Sequence, residues 1–139
     1  MQITPSTTTP IAPPTVPSVG FSDERIAGIA DRIKDLTSRA LSAAEAVTRS
    51  TSDTIPGWFA FQGVRHAEGA INLFTYAAND KGFAPYAGVR EQLTEGLSYL
   101  HRATEVADAA HVQGQAEMVK YFSGRAAEFF GNAIQLVSR

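Results

Sequence analysis

Apolar residues recur every three or four positions from Ile26 to Leu136, and nowhere do they alternate with polar ones over the length of a strand. Ile26, Ile29, Ile33, Leu36, Ala40, Ala43 and Val47 form one stripe, which predicts a helix over about 22–50. Ser22, followed by Asp23 and Glu24, suits its start: a hydroxyl to cap the first free N–H groups and carboxylates at the positive end of the dipole. The run Ser50-Thr51-Ser52-Asp53-Thr54 breaks the pattern, and Pro56 fits the first turn of a second helix. There Ala60, Val64, Ala67, Ile71, Phe74 and Ala78 share a stripe over about 56–79, closed by the turn Asn79-Asp80-Lys81-Gly82 with the glycine expected at positive φ. Val89, Leu93, Gly96, Leu100, Ala103 and Ala107 predict a third helix over about 86–110. Val112, Gln115, Val119, Phe122, Ala126, Phe129, Ala133 and Leu136 predict a fourth over about 112–138. The weakest break lies at Ala110–Gly114, where the last two helices could run on as one long bent helix.

Four amphipathic helices joined by connections too short for crossovers predict an all-α fold, an up-down four-helix bundle. Gly63 and Gly96 fall on the apolar stripes, where each costs about 1 kcal/mol of helix propensity relative to alanine. Close approach of a neighbouring helix would offset that cost. The partial likeness of GVRHAEGA from Gly63 to GVREQLTEG from Gly88 covers only a few amphipathic positions, so no repeat architecture follows.

Residues 1–21 read differently. QITPSTTTPIAPPTVPSVG holds five of the seven prolines and no charged side chain. Each proline removes a backbone donor and restricts its predecessor, and the segment has little apolar mass to offset its ordering entropy. The expectation is a disordered tail, partly polyproline II, ahead of a bundle spanning 22–139.

The remaining composition narrows the function classes. A net charge of -2 with acids and bases interspersed offers no basic field for phosphates, which argues against nucleic acid. Without cysteine there are no disulfides, thiolate metal sites or thiol nucleophile. The most apolar stretch, Trp58–Ala78, is interrupted by Gln62, Arg65, His66, Glu68 and Asn72 and does not suit a membrane span. The N-terminus has neither basic residues nor a continuous apolar run, so the reading is cytoplasmic, or exported without a Sec-type signal.

Candidate chemistry concentrates in GWFAFQGVRHAEGA, Gly57–Ala70. At about 100° per residue, His66 and Glu68 fall on opposite flanks of the apolar stripe and Arg65 points away from both. The three cannot form one site by themselves. The carboxylate-bridged metal site of helical bundles needs Glu-x-x-His pairs, and the chain has none; Asp108-Ala-Ala-His111 is its one acid-x-x-His. His101, Glu105 and Asp108 align on the outer face of the third helix and read as a solvated face. No serine sits in a Gly-x-Ser-x-Gly elbow or a Ser-x-x-Lys arrangement, and no phosphate-binding glycine loop is present. No catalytic residue, metal ligand or cofactor site is therefore assigned. Phe59, His66, Phe74, Phe122, Phe129 and Phe130 could line an internal pocket, but aromatics at helical spacing more often fill a core, which argues against a small-molecule ligand.

One pattern is left over. Trp58, Phe61, Arg65, Gly69, Asn72 and Tyr76 form a second stripe on the second helix, away from its core stripe. A helix apolar on two faces is buried or meets a partner, and Trp, Tyr, Phe and Arg are the residue types that anchor interfaces. A smoother strip on the fourth helix, Glu117, Gly124 and Gly131 beside Tyr121, offers a second surface. The resulting expectation is a non-enzymatic interaction or assembly module, binding a protein partner or itself. The alternative is an exported bacterial effector whose uncharged tail is its export address, in a chain whose alanine and arginine usage suggests a bacterial source.

Overall fold

The computed structural model describes residues 21–52, 54–109 and 114–138. The expectations for residues 1–20, for Val112 and for His111 lie outside them. Among the described residues there are four α-helices and no strand: α1 (Asp23–Thr48), α2 (Gly57–Ala77), α3 (Ala87–Asp108) and α4 (Gln115–Val137). A short 3-10 helix, Lys81–Tyr86, links α2 to α3. Each helix packs on its chain neighbours, α4 closes the ring against α1, and the diagonal pairs have far less contact. This is the up-down four-helix bundle that the periodicity predicts.

Local chemistry explains the ends. Ser22 caps α1, its Oγ accepting from the Arg25 N–H at 3.1 Å, with Asp23 and Glu24 in the first turn. Ala109, with ψ of 78°, leaves the helical region, and Gly114 opens α4 from the left-handed region at φ 74°. Thus α3 and α4 are two helices and not one bent helix. Gly114 is the positive-φ glycine among the described residues. Gly82 is not one, contrary to the turn expected there, because the chain continues into the 3-10 helix with Asp80 as its cap. What requires glycine at 82 is space: a Cβ would lie 2.9 Å from Cδ1 of Ile26.

The stripes of α1 and α3 face inward much as expected, with Ile33, Ala40, Val47, Val89, Leu93, Leu100 and Ala103 fully buried. Ala78 is exposed because α2 ends one residue earlier, and Ala70 and Ala77 take the buried positions. On α4 the inward face is turned toward Ser123, Phe130 and Val137, so Phe122 and Phe129 lie half-buried along the α3 edge. Close approach occurs where the stripe glycines predict it. A Cβ on Gly96 would sit 2.5 Å from Cε1 of the fully buried Phe130 ring, and one on Gly63 would sit 2.8 Å from Cδ1 of Leu100.

Two buried polar side chains behave oppositely. Thr37 Oγ1 donates to the Ile33 carbonyl at 2.7 Å, so its hydroxyl is satisfied. Ser123 Oγ is buried without a hydrogen-bond partner among the described residues. Because a buried unpaired hydroxyl costs about 1–3 kcal/mol, Ser123→Ala is expected to leave stability unchanged or raise it by about 1 kcal/mol. Urea denaturation would check this, and a lowered midpoint would show that the hydroxyl is bonded.

Gln115 sits at an inward position of α4 although it is polar. Its Oε1 accepts from the Ile55 N–H at 3.0 Å, while its Nε2 donates to the Ile55 carbonyl at 2.9 Å and to the Ala107 carbonyl at 3.3 Å. The amide pairs with a backbone unit as a neighbouring strand would. It joins the start of α4, the end of α3 and the approach to α2 at one end of the bundle. At the opposite end, Asp80 accepts from the Phe21 N–H at 2.6 Å and the Gly82 N–H at 2.8 Å.

Candidate interaction surface

Five of the six residues of the predicted second stripe of α2 are exposed on the outside of the bundle. Trp58 is 56% exposed, Phe61 49% and Tyr76 58%, and Arg65 and Asn72 are exposed between them. Gly69 is different: it is half-buried beside Leu36 of α1, where a Cβ would make an ordinary contact at 3.4 Å from Cδ1. The aromatic ends of the stripe differ as well. Trp58 stacks on its neighbour Phe59 with ring centroids 4.1 Å apart, leaving its other face and Phe61 open.

Tyr76 is engaged by the start of the described chain. The Phe21 ring stacks on it at 5.6 Å, the Arg25 guanidinium donates from Nη2 to its hydroxyl at 2.7 Å, and the same guanidinium lies 4.8 Å from the Phe21 ring centroid. Tyr76 is therefore not a lone surface aromatic. It anchors the segment that leads into α1.

His66, Glu68 and Arg65 are not brought together. His66 is half-buried in an open groove of about 460 Å³ between α1 and α2, beside Ser38, Arg39, Ser42 and Gln62. No carboxylate lines that groove, and Arg39 is paired with Asp35 at 3.2 Å. Among the described residues, no three His, Asp or Glu side chains converge as metal ligands. His101, Glu105 and Asp108 are exposed, as a solvated face requires.

The six aromatic and histidine positions weighed as a pocket lining divide among several places. Phe74 and Phe83 meet edge to face in the core at 5.9 Å, and Phe130 fills the space opposite Gly96. Phe122 and Phe129 instead join Tyr99 of α3 in a surface cluster, with centroids 6.3 and 5.7 Å apart. Arg102 and Arg125 lie over the Tyr99 ring at 5.6 and 5.5 Å, and Tyr121 packs against Phe122 at 5.4 Å. Interaction with the Tyr99 hydroxyl, and then with Glu128, holds the Arg125 guanidinium above its ordinary pKa.

The periodicity flags only Tyr121 in this second face, which is 61% exposed, with Met118 nearby at 40%. A signal existed in the sequence: Phe122, Arg125 and Phe129 recur at three and four along α4, and Tyr99 and Arg102 are spaced by three on α3. Of the smooth strip beside Tyr121, Gly124 is half-buried toward Thr48 of α1 and Gly131 faces open space. Most of the aromatic area here is already stacked within the chain. At the start of α2, Trp58 and Phe61 are two exposed rings one helical turn apart, whereas Tyr121 is the one exposed ring of the α3–α4 cluster.

No protein family, curated protein or solved structure matches the chain.

Proposed function

We propose that this protein is a non-enzymatic interaction or assembly module, docking a protein partner or a second copy through the outer face of α2. The observation that carries the reading is the exposure of Trp58 and Phe61 side by side on one rigid helix, with Arg65 and Asn72 continuing the face. About half of the roughly 150–250 Å² that such a side chain can bury is still open on each ring, and covering it would anchor an interface that the polar neighbours orient. Side chains fixed on a helix lose little conformational entropy when they dock, so contact there gains more than the same rings would on a loop. The export reading rests on residues 1–20 alone, and nothing among the described residues favours it.

The test is the solution mass of the full chain by light scattering across a concentration series. Mass is expected to rise with concentration for the wild type and to stay at that of the monomer for Trp58→Ala combined with Phe61→Ala. Equal masses for the two proteins at every concentration would remove self-association through this face.

A further inference from the structure

The exposed stripe of α2 is self-complementary. Trp58 and Tyr76 mark its two ends, and the point midway between them along the helix is Ala67. Arg65, in the middle of the stripe, and Glu68, on its flank, are both exposed and straddle nearly the same point. Neither takes part in an ion pair among the described residues, whereas Arg32, Arg39 and Arg125 each do. We propose that the occupant of this face is a second copy of the chain, with the two α2 helices antiparallel about a two-fold axis that passes between Arg65 and Glu68. The inference rests on the α2 face being a docking surface and names its partner and orientation.

A two-fold axis relates positions at equal distances on either side of it, so every contact between the copies occurs twice. Here Arg65 of each copy comes level with Glu68 of the other, and opposite charges meet twice at the centre. Parallel helices in register would instead set Arg65 beside Arg65 and Glu68 beside Glu68. The same axis brings Phe61 level with Asn72 of the other copy, and Trp58 to within one residue of Tyr76. At that end the indole meets the ring on which Phe21 is stacked, together with the Arg25 guanidinium already held on the Tyr76 hydroxyl. A guanidinium so placed offers a cation to the electron-rich indole face. The contact is one helix wide and ~27 Å long from Trp58 to Tyr76, at 1.5 Å per residue. That is small among protein interfaces, so the dimer is expected to come apart on dilution.

The test is sedimentation equilibrium of the full chain, of Arg65→Glu, of Glu68→Arg and of both changes in one chain, each variant checked for an unchanged circular dichroism spectrum. A single reversal sets like charges together twice and should weaken self-association by roughly tenfold or more. The double reversal should return it to about the wild-type level, and so should an equimolar mixture of the two single variants, in which each chain supplies the charges that the other lacks. Orientation is read separately. The chain has no cysteine, so Asn79→Cys, at an exposed position, takes one nitroxide per copy. Antiparallel helices place the two labels ~38 Å apart along the helix direction, and parallel ones place them about a helix diameter apart, ~10 Å. A wild type that is monomeric at every concentration, single reversals that associate as the wild type does, or a label separation of ~10 Å would each overturn the proposal. If the charge reversals have no effect while Trp58→Ala with Phe61→Ala still lowers the mass, the docking face stands and this pairing falls. If neither set of changes lowers it, self-association through the face falls as well.

Discussion

Gly96→Leu is expected to lower the melting temperature by roughly 5–10 °C, because about 1–3 kcal/mol of overpacking falls on a site with no slack. The first added carbon already lies 2.5 Å from the Phe130 ring, and Phe130 is wholly buried, so neither partner can swing into solvent. Leucine recovers up to about 1 kcal/mol of helix propensity over glycine, which the clash exceeds. Thermal denaturation followed by circular dichroism reads the result directly. Combining Gly96→Ala with Phe130→Leu should cost less than the sum of the two single changes, since the smaller side chain opens the space that the new methyl needs. Strict additivity would mean that α3 and α4 are not in contact at this point.

Gln115→Leu is the second. It keeps the side chain's bulk but leaves the Ile55 N–H and C=O unpaired in a buried setting, along with one bond to Ala107. At about 1–3 kcal/mol for each buried group left without a partner, a loss of about 2–4 kcal/mol is expected in urea denaturation. Gln115→Glu separates geometry from charge. Its carboxylate can still accept from Ile55 but faces two carbonyls where the amide donated, so burial and those carbonyls raise its folded-state pKa above the unfolded value. The folded state then binds more protons. The destabilisation relative to wild type should be fully present near neutral pH and shrink as pH falls through the raised pKa. A pH-independent difference would place the side chain in water.

These two sites mark the limit of what periodicity can tell. Gly96 was legible because a glycine on an apolar stripe has a propensity cost that only close packing explains. Gln115 was legible as an inward position, but its partner lies 60 residues earlier, and no local pattern encodes that pairing. The same holds for Phe21 on Tyr76 and for Tyr99 between Phe122 and Phe129. Helix formation and stripe direction depend on neighbours within a few residues, so the sequence shows them. Which flank meets which helix depends on the register of the assembled bundle. That is also why Phe129 reads as core along the chain while Phe130 occupies it: a rotation of α4 by less than one residue exchanges them. The outward stripe of α2 was readable because it needs no partner to define it, whereas the half-burial of Gly69 within it depends on Leu36 of another helix.

The interior is built largely from alanine, with Ala40, Ala44, Ala60, Ala67, Ala70, Ala77, Ala103, Ala126 and Ala133 all shut away from water. Such a lining draws the four backbones together and leaves few interior slots the size of a six-membered ring. Phe74, Phe83 and Phe130 take deep positions, and Trp58, Phe61, Tyr76, Tyr99 and Tyr121 are left toward the periphery. The aromatic character of the exterior is thus the other side of a slender centre: narrowing the middle of the bundle displaces its largest rings outward.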